Sequence, residues 1–267
     1  MSDRVTLSVE GGIAFVKLNR PEKYNALDIA MFEALIRAAK TIRKDRHVRA
    51  VILSGEGKCF SAGLDISDIK RNPLLIGKLL VKPGTRYTNL VQEAAWCWRE
   101  LPVPVIAILH GKCYGGGLQI ALAADFRIAR PDAELSVLEI KWGLIPDMSG
   151  SVTLRELIPI DLAKELAMTG RLFSGEEARA MGLVSHLSGD PMPDALSLAQ
   201  QISSRSPDAV AAAKKLFNST WTADEKTALN IETRLQKKLL GRWNQIAAAS
   251  RNLMDKPLQY RKRGFKG

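Results

Sequence analysis

The sequence predicts an α/β fold with a helical C-terminal third, and three observations carry that reading. Short apolar runs alternate with helix-compatible segments between residues 49 and 130, the pattern of crossover units on a largely parallel sheet. Near the N-terminus, VTLSV and IAFVKLN flank Glu10-Gly11-Gly12 with partial apolar/polar alternation, a hairpin signal. After Asp147 the segments SVTLRELI, IDLAKELAMT, SGEEARAM, DALSLAQQISS, PDAVAAAKKLFNST and ADEKTALNIETRLQKKLL all read as helices.

Taken in order, the hairpin is followed by Asp28, placed to cap a helix from about Ile29 to Arg43 with Met31, Leu35, Ala38 and Ile42 near helical spacing. RAVILSG, from Arg49 to Gly55, fits a buried strand, and EGKCFSAGLDI reads as the loop after it. Residues 67–85 are polar and mixed, an excursion with partial helix. A helix from about Tyr87 to Glu100 is closed by Leu101-Pro102, and VPVIAILH is the next buried strand. Ser174 and Glu177 have capping-box spacing, and GLVSHLS holds one more short strand. The division expected is a core over 1–190 and a helical subdomain over 191–267 that makes subunit contacts and covers the site.

Composition narrows the function classes. Apolar residues at 46% and charged ones at 25% suit a globular protein, and no window reaches the roughly 18 apolar residues of a membrane helix. MSDRVTLSVE lacks an apolar signal region, so cytoplasmic residence is the expectation. Cys59, Cys97 and Cys113 have no metal-ligand spacing, so no metal site is expected. The net charge of +11 suits a polyanionic partner or a phosphorylated cofactor. The basic residues are spread out, with one cluster, RKRGFKG, at the C-terminus. No Ser/His/Asp order, Walker sequence or G-x-G-x-x-G is present.

The chemistry concentrates between His110 and Ser149. There an apolar run enters Gly115-Gly116-Gly117, a helix-compatible segment follows, and Glu139 and Asp147 come eight residues apart. Glycines let backbone N–H groups approach a ligand, and a helix start favours developing negative charge. A carboxylate pair nearby can move protons. Together these point to a carbonyl whose oxygen becomes an oxyanion. The plainer alternatives are tight helix packing at the glycines and an N-cap role for Asp147. His110 reads as a backbone-orienting residue and Asp125 as a structural one. Trp96, Trp98 and Trp142 read as core or as acyl-pocket lining.

Five segments occur in order: KLNRPEKYNAL, CFSAGLDI, HGKCYGGGLQIALAADFRIA, LSVLEIKWGLIPDMSG and TGRLFSGEEARAMGLV. Together they resemble the crotonase superfamily of enoyl-CoA hydratases and isomerases, over residues 5 to about 220. The resemblance implies an α/β spiral of repeated ββα units, assembled as a homotrimer or a dimer of trimers. It implies an acyl-CoA substrate and no cofactor beyond the CoA moiety. The family's oxyanion hole falls on the N–H groups of Leu64 and Gly116. CoA would contact Lys23, Ala62, Gly63, Leu64, Asp65, Ile66, Gly115 and Gly116. The lysine that hydratases often carry after the Asp-Ile pair is Ser67 here. Phosphate contacts would then come from other basic residues, with Arg20, Lys262 and Arg263 as candidates.

Hydratases use two glutamates. The second matches Glu139, while the first position is Gln119, whose amide cannot exchange protons as a carboxylate does. Dienoyl-CoA isomerases carry the glutamate and aspartate eight residues apart, as Glu139 and Asp147 are, although they have an aspartate where this chain has Gln119. The expectation is therefore double-bond migration, with Glu139 as base, Asp147 as second acid/base and Gln119 as polar positioner. Hydration of a 2-trans-enoyl-CoA is the alternative within the family. A basic RNA-binding protein, or an acyl-CoA binder without turnover, is the alternative outside it, although the chain has no aromatic-rich RNA-binding motif.

Overall fold

The computed structural model describes residues 4–65, 75–85, 87–255 and 257–265. The hairpin forms as Val5–Glu10 (β1) and Ile13–Leu18 (β2), paired antiparallel around Gly11 and Gly12, both at positive φ. Asp28 caps the helix Ile29–Lys44 (α1), its Oδ1 accepting from Met31 N at 2.7 Å. Ala50–Gly55 (β3) then pairs parallel with β2. Leu75–Leu80 (α2) supplies the helical part expected of the 67–85 excursion. The next helix is Leu90–Arg99 (α3), three residues shorter at its start than the sequence suggests. Asn89 and Gln92 form a capping box that fixes its beginning there.

Val105–Leu109 (β4) joins β3, and Phe126–Ala129 (β6) joins β4, both in parallel. Between them run Lys112–Tyr114 (β5) and the helix Gly116–Leu122 (α4). Beyond β6 come Glu134–Ser136 (β7), the helices Gly150–Leu157 (α5) and Ile160–Thr169 (α6), Phe173–Ser174 (β8), Gly175–Ala180 (α7) and His186–Leu187 (β9). The strands make a six-stranded sheet in the order β1-β2-β3-β4-β6-β9 and a three-stranded one in the order β5-β7-β8. Ser174 and Glu177 form the capping box their spacing predicts.

The unbroken apolar character of β3 and β4 follows from burial on both faces. Val51, Leu53, Val105, Ala107 and Leu109 face the main core with α1, α3 and α4. Ala50, Ile52, Ile106 and Ile108 face the opposite side, where the helix Pro191–Ser203 (α8) covers them with Ala195 and Ala199. Pro207–Thr220 (α9), Glu225–Leu239 (α10) and Trp243–Leu253 (α11) complete the chain. Ala211, Ala212, Leu235 and Phe265 form a separate small core there. Lys214 of α9 reaches back to Asp125 Oδ2 (2.6 Å), Trp98 O and Val103 O (3.0 Å each), and Asp125 also accepts from Val105 N. Asp125 is thus a structural residue, as its sequence context suggested. Among the described residues, no helix is long and apolar enough to cross a membrane.

Candidate active site

Two segments far apart in sequence lie side by side at the site. Ser61 bridges Cys113 in parallel, with Ser61 N donating to Lys112 O at 3.0 Å and Tyr114 N to Ser61 O at 3.0 Å. His110 secures the base of this junction, its Nε2 lying 3.1 Å from Gly57 O. Gly63 sits at φ +87°, and a Cβ there would lie 2.9 Å from Tyr114 O, so only glycine lets the loop come this close. Leu27 N donates to Gly63 O and Asp65 N to Leu27 O, which pairs the backbone on both sides of Leu64. The N–H groups of Leu64 and Gly116, on the two adjoining segments, have no acceptor among the described residues.

The three glycines serve three different contacts. A Cβ on Gly115 would lie 3.2 Å from Glu139 Oε1. One on Gly116 would meet Met148 Sδ at 2.6 Å, and one on Gly117 would meet Ser61 Cβ at 2.6 Å. Packing alone therefore explains Gly117, while Gly115 also makes room for a carboxylate.

Gln119 is 2% exposed, and both the oxygen and the nitrogen of its amide are engaged. Its Oε1 accepts from Met148 N at 2.8 Å and Gly150 N at 3.0 Å, which fixes the amide's orientation. Its Nε2 consequently faces Glu139 and donates to Oε1 at 2.6 Å. The same side chain thus ties Glu139 to the turn that carries Asp147. The other oxygen of Glu139, Oε2, is buried with no hydrogen-bond partner among the described residues. Burial raises the Glu139 carboxyl above its ordinary range, the Gln119 hydrogen bond pulls it back, and the Asp147 charge adds to the rise. Burial also raises Asp147, the more exposed of the two. Ser149, not Asp147, occupies the cap position before α5, so Asp147 is not spent on a cap.

Glu139 and Asp147 line a cavity of about 330 Å³ whose walls include Ala62, Gly63, Leu64, Tyr114, Gly115 and Gly116. Leu79, Leu80, Val91, Leu138, Leu144 and Met148 make much of it apolar. Trp142 also lines it and is half-exposed, whereas Trp98 is fully buried in the core and Trp96 stacks edge-on against Tyr87. Sequence reasoning missed Lys141 and Lys112. Lys141 lines the cavity. Lys112 is exposed, its ammonium 5.5 Å from the Tyr24 ring centre and 6.0 Å from that of Tyr114. The period of two along β5, which puts residues 112 and 114 on one face, is the signal that could have found it.

Other expected contacts are distributed differently. Lys23 is exposed and does not line the cavity. Asp65 also lies off the cavity wall, and its carboxylate is turned to Arg20 Nη1 at 2.7 Å. Arg20 itself is buried, which removes it from the candidates for phosphate binding. Arg263 is buried too, donating to Phe265 O. Ile66 and Ser67 lie outside the described residues.

The family model for enoyl-CoA hydratase/isomerase matches residues 8–245. The mitochondrial Delta(3,5)-Delta(2,4)-dienoyl-CoA isomerase of Homo sapiens is 33% identical over 263 residues, covering 94% of this chain and 76% of that protein. Enoyl-CoA hydratase EchA19 of Mycobacterium tuberculosis is 32% identical over 236 residues, covering 86% and 85%. Among solved structures, an enoyl-CoA hydratase from Bacillus anthracis superposes with a TM-score of 0.88 at 28% identity, over 96% of this chain and 98% of that one. The shared architecture and these matches agree: the chain belongs to the enoyl-CoA hydratase/isomerase family, the crotonase superfamily of acyl-CoA enzymes.

Proposed function

We propose that this enzyme moves a carbon–carbon double bond along an acyl-CoA thioester and does not add water across it. The observation that carries this reading is the commitment of Gln119. A buried amide whose oxygen already accepts from two backbone N–H groups, and whose Nε2 donates to Glu139, has no acceptor left for a water's proton and cannot take that proton as a second glutamate would.

In the proposed reaction Glu139 Oε2 takes a proton from the α-carbon. The thioester oxygen gains the negative charge, and the N–H groups of Leu64 and Gly116 form the oxyanion hole that holds it. Each such donor typically contributes about 3–4 kcal/mol in related acyl chemistry. A proton returned at the far end of the conjugated system completes the shift. On a 3-enoyl-CoA Glu139 can return it, while on a 3,5-dienoyl-CoA Asp147 gives it from a position Glu139 does not reach. Asp147 then recovers a proton from solvent while Glu139 releases one. The apolar walls suit an aliphatic acyl chain and keep the Glu139 carboxyl poorly solvated, while Asp147 stays open to solvent for proton exchange.

No cofactor beyond the CoA moiety enters this scheme. For CoA we propose contacts along Ala62, Gly63, Leu64, Asp65 and Ile66, with Gly115 and Gly116, and with Lys23 outside the cavity. Lys112, held against the rings of Tyr24 and of the cavity-lining Tyr114, is the better placed cation for a phosphate. A cytoplasmic homotrimer, or a dimer of trimers, is the proposed assembly. Exposed Phe217, Trp221, Leu240 and Leu253, on the C-terminal helices or at their ends, support a role for 191–267 in subunit contacts and site covering, although α8 packs with the core.

Incubation with a 2-trans-enoyl-CoA, a 3-enoyl-CoA and a 3,5-dienoyl-CoA tests the reaction. Isomers should form from the second and third. Formation of 3-hydroxyacyl-CoA with no isomer would replace this reading with hydration, in which Glu139 and Asp147 divide the water chemistry.

A further inference from the structure

The loop that carries the proposed Leu64 donor is held from outside the cavity by a buried ion pair. Asp65 follows directly on Leu64, and its Oδ2 accepts from Arg20 Nη1 at 2.7 Å. The same Nη1 donates to Ala26 O at 3.1 Å and lies 3.5 Å from Asp28 Oδ2. The side chains of Arg20 and Asp65 are 10% and 11% exposed, so solvent screens the pair little. Asp28 is itself fixed. It caps α1 through Oδ1, and Arg4 Nη2 lies 2.8 Å from its Oδ2. Arg20 thus joins three points: the donor loop, the Ala26 carbonyl beside the Leu27 bridge, and the start of α1.

The backbone around Leu64 shows what this clamp holds. Gly63 O and Asp65 N are both taken by Leu27, at 2.8 and 2.9 Å. Between them the Leu64 N–H is left without an acceptor among the described residues. Freed from Arg20, the Asp65 carboxylate would seek water and pull on a peptide one bond from that N–H. A misplacement of even ~1 Å can cost an enzyme about a hundredfold in rate.

We infer that Arg20 is a positioning residue of the oxyanion hole. Acting through Asp65, its guanidinium sets where the Leu64 N–H points, and it takes no part in binding substrate phosphate. The inference rests on the proposed role of Leu64, and it assigns to Arg20 a function that neither its sequence context nor its charge suggests.

The test compares wild type with Arg20→Lys, Arg20→Ala, Asp65→Asn and the Arg20→Ala/Asp65→Asn double variant. Each is assayed with an acyl-CoA and with the corresponding acyl-pantetheine, which lacks the nucleotide phosphates. The loss expected for Arg20→Ala is about ten- to a hundredfold, in kcat, and equal on both substrates. Arg20→Lys should recover part of it, and the double variant should lose little more than either single one. A conjugated dienoyl-CoA adds a readout that needs binding alone. Polarisation of its thioester carbonyl moves its near-ultraviolet absorbance to longer wavelength on the wild type, and that movement should shrink in the variants while Kd changes by less than about threefold.

A loss confined to acyl-CoA and appearing in KM would make Arg20 a phosphate ligand and overturn the inference. So would an undiminished absorbance shift in a folded Arg20→Ala variant. Should Arg20→Ala not fold, Arg20→Lys and Asp65→Asn carry the same comparison. If wild type shifts the absorbance but isomerises nothing, the proposed reaction fails while the clamp is still read from the variants. If wild type gives no shift, the Leu64 donor assignment fails and the clamp with it.

Discussion

Replacing Gln119 by glutamate puts a second carboxyl beside Glu139 without changing the shape of the site. One new oxygen keeps the contacts to Met148 N and Gly150 N. The other stands where Nε2 now donates, 2.6 Å from Glu139 Oε1. At about 4 Å between charge centres and an effective dielectric near 20, two carboxylates repel by about 4 kcal/mol. The pair therefore loses its two protons in separate steps, the second raised above the ordinary carboxylate range.

With one proton bound, the new carboxyl can act as the donor that the amide was, and Glu139 remains the base. Isomerisation should then persist at neutral pH, joined by hydration, because the pair can both give and accept a proton around a water. Above the raised value both groups ionise and repel. Activity should fall there, and thermal stability should fall as pH rises from the unfolded-state value through the raised one, the window in which the folded state holds a proton the unfolded chain has lost. Measuring kcat against pH for both products, with melting curves alongside, tests this. The reasoning is refuted if the variant has the same alkaline profile as the wild type, or if wild type already hydrates as fast as the variant.

Three further predictions follow from other contacts. Glu139→Gln should abolish solvent-deuterium exchange at the substrate's α-carbon, lowering the rate by at least ~10²–10⁴-fold. The carboxyl it removes has a raised pKa, so Glu139 stabilises the fold below the unfolded-state value and less as pH rises. The variant should therefore melt higher than wild type near neutral pH and lose that advantage in acid. Gly63→Ala forces a side chain into φ +87° and 2.9 Å from a backbone oxygen, displacing the Leu64 N–H, so kcat should fall about 10²–10³-fold in steady-state assays. Lys214→Ala leaves Asp125 without its buried cation. It should cost about 3–5 kcal/mol, a drop of roughly 6–20 °C in melting temperature by calorimetry.

Local chemistry was legible wherever a few neighbouring residues decide the structure. Asp28 ahead of an amphipathic run, the glycines between two alternating strands and the Ser174/Glu177 spacing each fixed an element. The glycine triplet with Glu139 marked the site for the same reason. What sequence could not show depends on partners brought together by the fold. The role of Gln119 is set by backbone N–H groups at Met148 and Gly150, 29 and 31 residues away. Arg20 read as a candidate phosphate contact because its actual partner, Asp65, lies 45 residues further on. The start of α3 moved because an Asn89 cap outweighed the propensity of Tyr87 and Thr88. That α8 belongs against the sheet is visible only from the apolar outer face of β3 and β4, which needs a cover that periodicity does not name.

The central claim is that the committed Gln119 amide leaves this enzyme moving double bonds instead of adding water. Incubating wild type separately with a 3-enoyl-CoA and a 2-trans-enoyl-CoA in oxygen-18-labelled water, and analysing the products by mass spectrometry, tests it most directly. An unlabelled 2-enoyl-CoA from the first, and no labelled product from the second, is the expected result. Labelled 3-hydroxyacyl-CoA as the main product would contradict it.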